Sequence, residues 1–110
     1  MDETAYKVLN AAEFAALQDG SFSGAPADLG DGYIHLSTAS QLDETVAKHF
    51  AGQTELFIVA VDLKKLGDNI RWEISRNHAL FPHLYGRLEA SSVIAACPLD
   101  RKADGTVKLP

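Results

Sequence analysis

The chain has 110 residues, close to the commonest size of one domain, and 46% of them are hydrophobic, which is enough to form a packed core. Its one cysteine excludes an internal disulfide framework and any zinc motif built from several cysteines. The net charge of -5 at pH 7 disfavours non-specific binding to duplex nucleic acid, although the basic residues are concentrated after residue 62, where they would suit a small anionic molecule. No apolar run is long enough to span a bilayer, and the N-terminus is acidic and polar, unlike a secretory signal. We therefore expect one cytoplasmic domain over residues 1–110, with neither a membrane nor duplex nucleic acid as its partner.

The first predicted elements are a strand, a helix and a long loop. Residues 6–9 form a short run typical of a strand. Asn10, followed three residues later by Glu13, has the spacing of a capping box, which predicts a helix that continues to about residue 17. Residues 19–32 contain four glycines and one proline and predict an extended loop. Such a loop in a small domain is either a functional lid or binding rim, or a plain surface connection, and the sequence does not distinguish the two.

The remaining elements are a second strand and helix, followed by a series of strands. Residues 32–37 (GYIHLS) predict the second strand, and Thr38 with Gln41 predicts the start of a second helix that Gly52 ends. Residues 56–62 form a nearly continuous apolar run, as expected of a strand buried on both faces. A helical turn and three further strands are predicted at 63–67, 70–74, 83–85 and 92–97. This order predicts an α+β fold with a mixed or mostly antiparallel sheet and two short helices early in the chain.

Three of the predicted strands present one apolar and one polar face, because side chains alternate along a strand. The polar faces carry aromatic, imidazole and charged groups more than the Thr, Lys and Ser that usually face water. An antiparallel sheet with one solvated face gives the same alternation, so the sequence leaves both readings open. If the faces meet in one cleft, we expect it to contain Tyr33, His35 and Ser37 from the first of these strands, Arg71 and Glu73 from the second, and His83 and Tyr85 from the third.

Two of these residues are predicted to be catalytic. His35 is the strongest single candidate, and Glu73 lies beside a tryptophan, where partial burial would make its carboxylate a usable acid, base or ribose-hydroxyl acceptor. A plain surface ion pair between Arg71 and Glu73 is the competing interpretation. The other residues of the polar faces are predicted to bind ligand, and Arg71 and Arg76 would contact an anionic group.

The other histidines and the cysteine give weaker signals. His49 falls within the apolar stripe of the second predicted helix and is expected to be buried, whereas His78 is expected to face solvent. A zinc site built from His35, His49 and His83 has no supporting spacing, so we predict no metal. Cys97 follows two alanines in an apolar strand and is expected to be a buried small hydrophobic residue.

The segments GYIHLSTASQL, HFAG, IRWE and LFPHLYG resemble an uncharacterised bacterial family, the domain-of-unknown-function family numbered 952, and the resemblance extends from AYKVLNAAEFAAL to VIAACPL. This family has been suggested as a remote relative of ADP-ribosyltransferases and of NAD-dependent RNA 2′-phosphotransferases. The resemblance implies a cleft in which a histidine and a tyrosine hold NAD and an acid engages the nicotinamide ribose. The matching positions are His35, Tyr85 or Tyr33, and Glu73, and Lys7 stands where such enzymes often carry a histidine on the first strand. The implied reaction is loss of nicotinamide through an oxocarbenium-like state.

Three functions are therefore considered. The first is a small protein whose polar cleft binds NAD or another nucleotide-like small molecule, with ADP-ribosyltransferase-like chemistry. The second is a non-catalytic binding or protein-interaction module, in which the polar face and the 19–32 loop contact another protein. The third is a metal-dependent hydrolase. The sequence leaves open the identity of the ligand, the oligomeric state and whether any reaction is catalysed.

Overall fold

A computed structural model describes residues 2–110 and contains four helices and six strands within that range. In chain order the elements are β1 (Thr4–Asn10), α1 (Ala11–Asp19), α2 (Pro26–Asp31), β2 (Ile34–His35), α3 (Ala39–His49), β3 (Leu56–Asp62), α4 (Leu63–Leu66), β4 (Ile70–Ile74), β5 (Leu80–Leu84) and β6 (Val93–Pro98). All strand pairs are antiparallel, so the predicted α+β class is confirmed. None of the helices in this part of the chain is long and apolar enough to cross a membrane.

The strands form two three-stranded sheets, each with one fully flanked central strand. The first has the order β1-β3-β6 and the second the order β2-β5-β4. β3 is the central strand of the first sheet and is buried on both faces, as its apolar run predicts. The two sheets meet at an isolated bridge in which the Tyr6 amide donates to the Ser37 carbonyl at 2.7 Å and the Ser37 amide donates to the Tyr6 carbonyl at 2.9 Å.

The core lies on both faces of the first sheet, because alternate residues of β1 and β3 point in opposite directions. One face carries Ala5, Leu9, Val59 and Val61, which pack with apolar residues of α1, β2 and β5. The other face carries Val8, Leu56 and Ile58, which pack against the buried Leu42 and Val46 of α3. This second face fixes α3 along the side of the first sheet.

β2 is shorter than predicted, and Pro82 explains why. The sequence predicts a strand over residues 32–37, but only Ile34–His35 is paired as a strand, opposite Leu84 and His83 of β5. The next residue, Leu36, donates its amide to the Pro82 carbonyl at 3.2 Å. Pro82 has no N–H that could donate a second hydrogen bond to the Leu36 carbonyl, so the pairing of β2 with β5 ends there.

The segment 19–32 is not the extended loop that its composition predicts, because it contains α2. Pro26 occupies the first turn of this helix, where a missing amide proton costs nothing, and Asp28 accepts a hydrogen bond from the Ala25 amide at 2.8 Å. Gly32 ends the helix in the left-handed conformation, with φ of +84°. The glycine and proline that indicated a loop are therefore the end and start signals of a short helix.

The cap predicted at Asn10 is complete, whereas the one predicted at Thr38 is half formed, because the Thr38 amide donates to Gln41 Oε1 at 3.0 Å but the Thr38 side chain accepts no amide of the helix. The Glu13 amide donates to Asn10 Oδ1 at 2.8 Å and the Asn10 amide donates to Glu13 Oε1 at 2.9 Å, which is a complete capping box. α3 starts after Thr38 as predicted but ends at His49, before Gly52. His49 is exposed rather than buried, because it lies in the last turn, where a basic side chain at the surface is favourable.

Two smaller expectations have different outcomes. His78 is exposed, as predicted, in a 3-10 turn between β4 and β5. Cys97 in β6 is half-buried rather than buried, because β6 is an edge strand whose residues alternate between half-buried and exposed.

Candidate functional site

An open cleft of about 600 Å³ lies where β1, α2, α3 and the ends of β2 and β5 meet. This volume is in the range of small-molecule sites. The charged and imidazole groups that line it are Lys7, Asp28, Asp31, His35, His49, Arg76 and His83, with Glu13 at one edge. Its aromatic wall is formed by Tyr6, Phe50 and Phe81.

Asp28 is the most heavily hydrogen-bonded side chain of the cleft. Lys7 Nζ lies 2.9 Å from Oδ2 and 3.1 Å from Oδ1, so the two charges are paired although the side chains are only 8% and 2% exposed. The His35 amide donates to Oδ1 at 3.0 Å, and the His35 ring nitrogen Nδ1 lies 2.7 Å from the same oxygen. With the Ala25 amide on Oδ2, both oxygens are fully used. Asp28 therefore ties α2 to β1 and to β2.

The environment of Asp28 keeps it ionised. Burial by itself raises the pKa of this carboxyl, but the hydrogen bond from the His35 ring and the charge of Lys7, with the His35 amide, outweigh burial and lower the pKa to about 2. At neutral pH the buried Lys7 therefore always faces a carboxylate. A buried cation with such a partner is tolerated, whereas one without it is not.

His35 is held between two carboxylates. Its Nδ1 lies 2.7 Å from Asp28 Oδ1 and its Nε2 lies 2.9 Å from Asp31 Oδ2. A carboxylate only accepts hydrogen bonds, so both contacts are hydrogen bonds at the same time only when both ring nitrogens carry protons. The ring is one-third exposed and is fixed in orientation, and neither of its nitrogens is free.

His83 has a different arrangement, although it lies directly opposite His35 in the strand pair. Its Nδ1 lies 2.9 Å from Glu73 Oε1, and the Tyr33 ring stacks on it with a centroid distance of 4.1 Å. Nε2 forms no hydrogen bond with any residue of the described chain. No buried side-chain nitrogen or oxygen within residues 2–110 lacks a partner, so Nε2 keeps contact with solvent although the residue is 3% exposed. His83 is also one of the residues that line the cleft.

Glu73 connects His83 to Tyr85. The Tyr85 hydroxyl donates to Glu73 Oε1 at 2.7 Å, and the same oxygen is the partner of His83 Nδ1. The Tyr85 and His83 hydrogen bonds together lower the pKa of Glu73, which is therefore ionised at neutral pH. In turn, the hydrogen bond to Glu73 raises the pKa of Tyr85. The Arg71 guanidinium lies 4.6 Å above the Tyr85 ring.

The rings of Tyr33, His35, His83 and Tyr85 form one cluster of contacts beside the paired strands β2 and β5. Tyr33 lies 4.7 Å from His35, 4.1 Å from His83 and 5.2 Å from Tyr85, measured between ring centroids. The His35 and His83 rings are 5.5 Å apart and edge to face. Partial burial, with the charges of Asp31 and Glu73, raises the pKa of Tyr33, so its hydroxyl stays protonated at neutral pH.

The predicted polar faces meet, but they do not all line one cleft. His35, Ser37, Arg76 and His83 line it, whereas Tyr33, Arg71, Glu73 and Tyr85 lie outside its wall. Glu73 and Tyr85 contact the cleft group His83 from behind, and Tyr33 covers its ring face. The predicted set is therefore one connected cluster with an inner part on the cleft and an outer part that supports it.

Arg76 and Ser37 are held by α3. Arg76 Nε lies 3.1 Å from Glu44 Oε1, its Nη2 donates to Thr45 Oγ1 at 3.1 Å, and the guanidinium lies 5.0 Å above the Phe81 ring. The hydroxyls of Ser37 and Thr45 are 2.9 Å apart. The charge of Arg76, predicted to contact an anion, is thus already balanced by Glu44.

Sequence reasoning missed Lys7, Asp28 and Asp31. Lys7 carried a signal, because it falls on the same strand face as the apolar Ala5 and Leu9, and a lysine on a buried face needs an acidic partner. Asp28 carried one too, since an acid two residues after Pro26 has the spacing of a helix start. No sequence signal indicated Asp31, because it reaches His35 only through the last turn of α2.

The three histidines proposed for a zinc site, His35, His49 and His83, all line the cleft. However, among residues 2–110 no group of three histidine, cysteine, aspartate or glutamate side chains is arranged to hold a metal ion.

Comparison with known proteins gives a family and a fold. A sequence model described as "Protein of unknown function (DUF952)" matches residues 8–96. The chain is similar to protein CC0527 from Caulobacter crescentus: the crystal structure of that protein is 44% identical with a TM-score of 0.87, and the match covers 96% of this chain and 93% of that chain. The solution NMR structure of CC0527 is 45% identical with a TM-score of 0.81, covering 96% of this chain and 91% of that one. No curated protein matches the chain.

Proposed function

Because this chain belongs to the DUF952 family, whose function is unknown, its activity has to be inferred from its own site, and we propose that the cleft binds a nucleotide-like small molecule, with NAD as the first candidate. The observation that carries this proposal is the pairing of a small-molecule-sized cleft with two imidazoles, His35 and His83, each oriented by a carboxylate. Surface histidines of a plain solvated sheet are not usually fixed in this way.

The lining of the cleft suits the ribose and base of such a ligand better than its phosphates. Tyr6, Phe50 and Phe81 provide apolar ring surface for a base, and His83 Nε2 provides an acceptor for a hydroxyl. The cations are already paired, Lys7 with Asp28 and Arg76 with Glu44. A strong attraction for free phosphate is therefore not expected, and the pyrophosphate of NAD would lie at the open side of the cleft.

The resemblance to ADP-ribosyltransferases supplies the chemistry of the proposal. Loss of nicotinamide leaves positive charge on the ribose, which a nearby carboxylate stabilises. Glu73 is ionised, and the His83 side chain separates it from the cleft. Its charge therefore acts on the ligand through His83. His35 is the histidine of the resemblance, and its role in the proposal is to hold the wall formed by α2 in place and to contact the ligand with its exposed ring edge.

The proposal is tested by thermal unfolding with and without millimolar NAD, ADP-ribose and a nucleoside monophosphate. A ligand at 100 times its dissociation constant stabilises the folded state by about 2.7 kcal/mol, which is a clear shift for a domain of this size. We expect a shift with NAD in the wild type and in His78→Ala, the matched control outside the cleft, and none in His35→Ala. Circular dichroism verifies that His35→Ala is folded. The absence of a shift with all three molecules in the wild type would contradict the proposal.

A protein-interaction module is the second candidate, and one observation favours it. Ile74 and Leu80 pair across the end of β4 and β5 and are 68% and 45% exposed, an apolar patch that water does not favour. Sedimentation at several concentrations tests this function. Self-association that is lost in Ile74→Ser would support it, and a concentration-independent monomer would contradict self-association through this patch.

A further inference from the structure

We propose that His83 is the proton-accepting residue of this cleft, and that Glu73 and Tyr85 are the residues that position it. The group that loses its proton is a hydroxyl, either of water or of an alcohol, held in the cleft. The identification of the electrophile as the ribose of NAD rests on the proposed function above, whereas the assignment of His83 rests on geometry alone.

The first observation is the state of the two nitrogens of His83. Nδ1 is bound to the Glu73 carboxylate at 2.9 Å, and a carboxylate accepts, so this nitrogen carries the proton. In the neutral ring the lone pair is then on Nε2, which has no partner among the described residues and keeps contact with solvent, and His83 lines the cleft. A residue that is 3% exposed, lines a cleft and keeps one polar atom unpartnered is suited to meet a ligand there.

The second observation is the support behind the ring. Glu73 Oε1 accepts from both His83 and Tyr85, so the carboxylate is fixed by two bonds from β5 and the residue after it. Tyr33 stacks on one face of the imidazole, and His35 meets it edge to face. Arg71 is the strand partner of His83 on β4, but its guanidinium lies over Tyr85. The ring therefore has one orientation and one tautomer before a ligand arrives, which is what a general base requires.

The third observation excludes the other histidine of the pair. His35 has a carboxylate on each ring nitrogen, Asp28 on one side and Asp31 on the other. Neither nitrogen is open to a ligand, so His35 is not placed to accept a proton from one. The two neighbouring imidazoles thus differ: both nitrogens of His35 are engaged by carboxylates, whereas His83 has one nitrogen without a partner among the described residues.

In the proposed step NAD is the electrophile. The bond between the ribose C1′ and the nicotinamide nitrogen breaks, and its electron pair leaves with nicotinamide. The hydroxyl oxygen forms the new bond to C1′ and releases its proton to Nε2 of His83. The negative charge of Glu73 stabilises the resulting imidazolium through Nδ1. Water as the acceptor gives ADP-ribose, and an alcohol gives its O-linked ADP-riboside, a glycoside at C1′.

The assignment of His83 is tested first without any ligand. Long-range proton–nitrogen NMR spectra identify which imidazole nitrogen carries the proton. We expect His83 in the Nδ1-protonated tautomer in the wild type, and a mixture of tautomers in Glu73→Gln, whose amide can present either its oxygen or its NH₂ group to the ring. Protonation of Nε2 alone in the wild type would overturn the inference, whatever ligand the cleft binds.

The role in chemistry is tested by nicotinamide release from NAD. Loss of a general base slows a reaction by about 10²–10⁴-fold, so His83→Ala should release nicotinamide at least 100-fold more slowly while NAD still shifts its unfolding temperature. Added imidazole should restore part of the rate in His83→Ala and leave His78→Ala, the control, unchanged. Equal rates in the wild type and His83→Ala would overturn the catalytic role. Absence of NAD binding in the wild type would instead refute the proposed function, and the tautomer measurement would still decide on His83.

Discussion

His35 and His83 are the same residue type in directly opposed strand positions, and their rings are 5.5 Å apart, yet they are prepared for different tasks. His35 is enclosed by Asp28 and Asp31, one on each nitrogen. His83 has one carboxylate, Glu73, and one open nitrogen. The number of carboxylates around an imidazole, rather than its place in the strand, therefore determines whether it stabilises the fold or is free to act on a ligand.

The largest loss of stability is expected from a substitution at Asp28, the carboxylate that contacts His35 and the buried Lys7. Asp28→Asn removes the charge that balances the buried Lys7, and an unpaired buried charge costs about 3–5 kcal/mol. We expect a loss of about 3 kcal/mol or more in the free energy of unfolding, measured by urea titration at pH 7. Asp100→Asn, at an exposed position, is the matched control and should change the free energy of unfolding little. A loss of less than 1 kcal/mol in Asp28→Asn would mean that Lys7 finds other partners.

Acid should also reduce the contribution of Asp28 to the stability of the fold. The pKa of Asp28 is lowered from 3.8 to about 2 in the folded chain, so its contribution to stability is complete above about pH 4 and is lost as the pH falls through 2. The contribution is on the order of 2 kcal/mol, since each pKa unit corresponds to about 1.4 kcal/mol. The difference in unfolding free energy between the wild type and Asp28→Asn should therefore narrow between pH 4 and pH 2. A difference that stays constant over this range would refute the lowered pKa.

The smallest effect on stability is expected from a substitution next to His83, at Tyr85. Tyr85→Phe removes the hydrogen bond that contributes most to lowering the pKa of Glu73, so that pKa should rise, while the stability of the fold should change little. A carbon-13 NMR titration of the glutamate carboxyls measures the shift. Tyr6→Phe is the control, because Tyr6 is a tyrosine of β1 whose hydroxyl makes no hydrogen bond to Glu73. An unchanged Glu73 pKa in Tyr85→Phe would show that the His83 bond alone sets it.

Much of this arrangement follows from the alternation of side chains along the strands. The period of two placed Arg71 with Glu73 and His83 with Tyr85 on shared faces, and the pairing of β4 with β5 brings those faces together. The capping box of α1, the start of α3 and the boundaries of β3 and β4 were also predictable, because each depends on residues close in sequence.

The parts that could not be predicted depend on contacts between distant segments. Asp28 meets Lys7 and His35 because α2 folds back over β1 and β2. No local sequence pattern predicts these contacts. The division of the polar residues into cleft and support also depends on register, since Glu73 reaches His83 diagonally while its direct strand partner is Phe81. The exposure of His49 depends on where α3 ends against the sheet, which its apolar stripe alone does not fix.

The pairing of β1 also has a consequence for the order in which the protein is assembled. β1 is synthesised before its partner β3, which follows roughly fifty residues later, and Lys7 meets Asp28 only after α2 has been made. Contacts between segments so far apart are closed late and slowly in folding. Until β3 is synthesised, β1 has no strand partner, and the charge of Lys7 at its middle disfavours pairing with other chains during that interval.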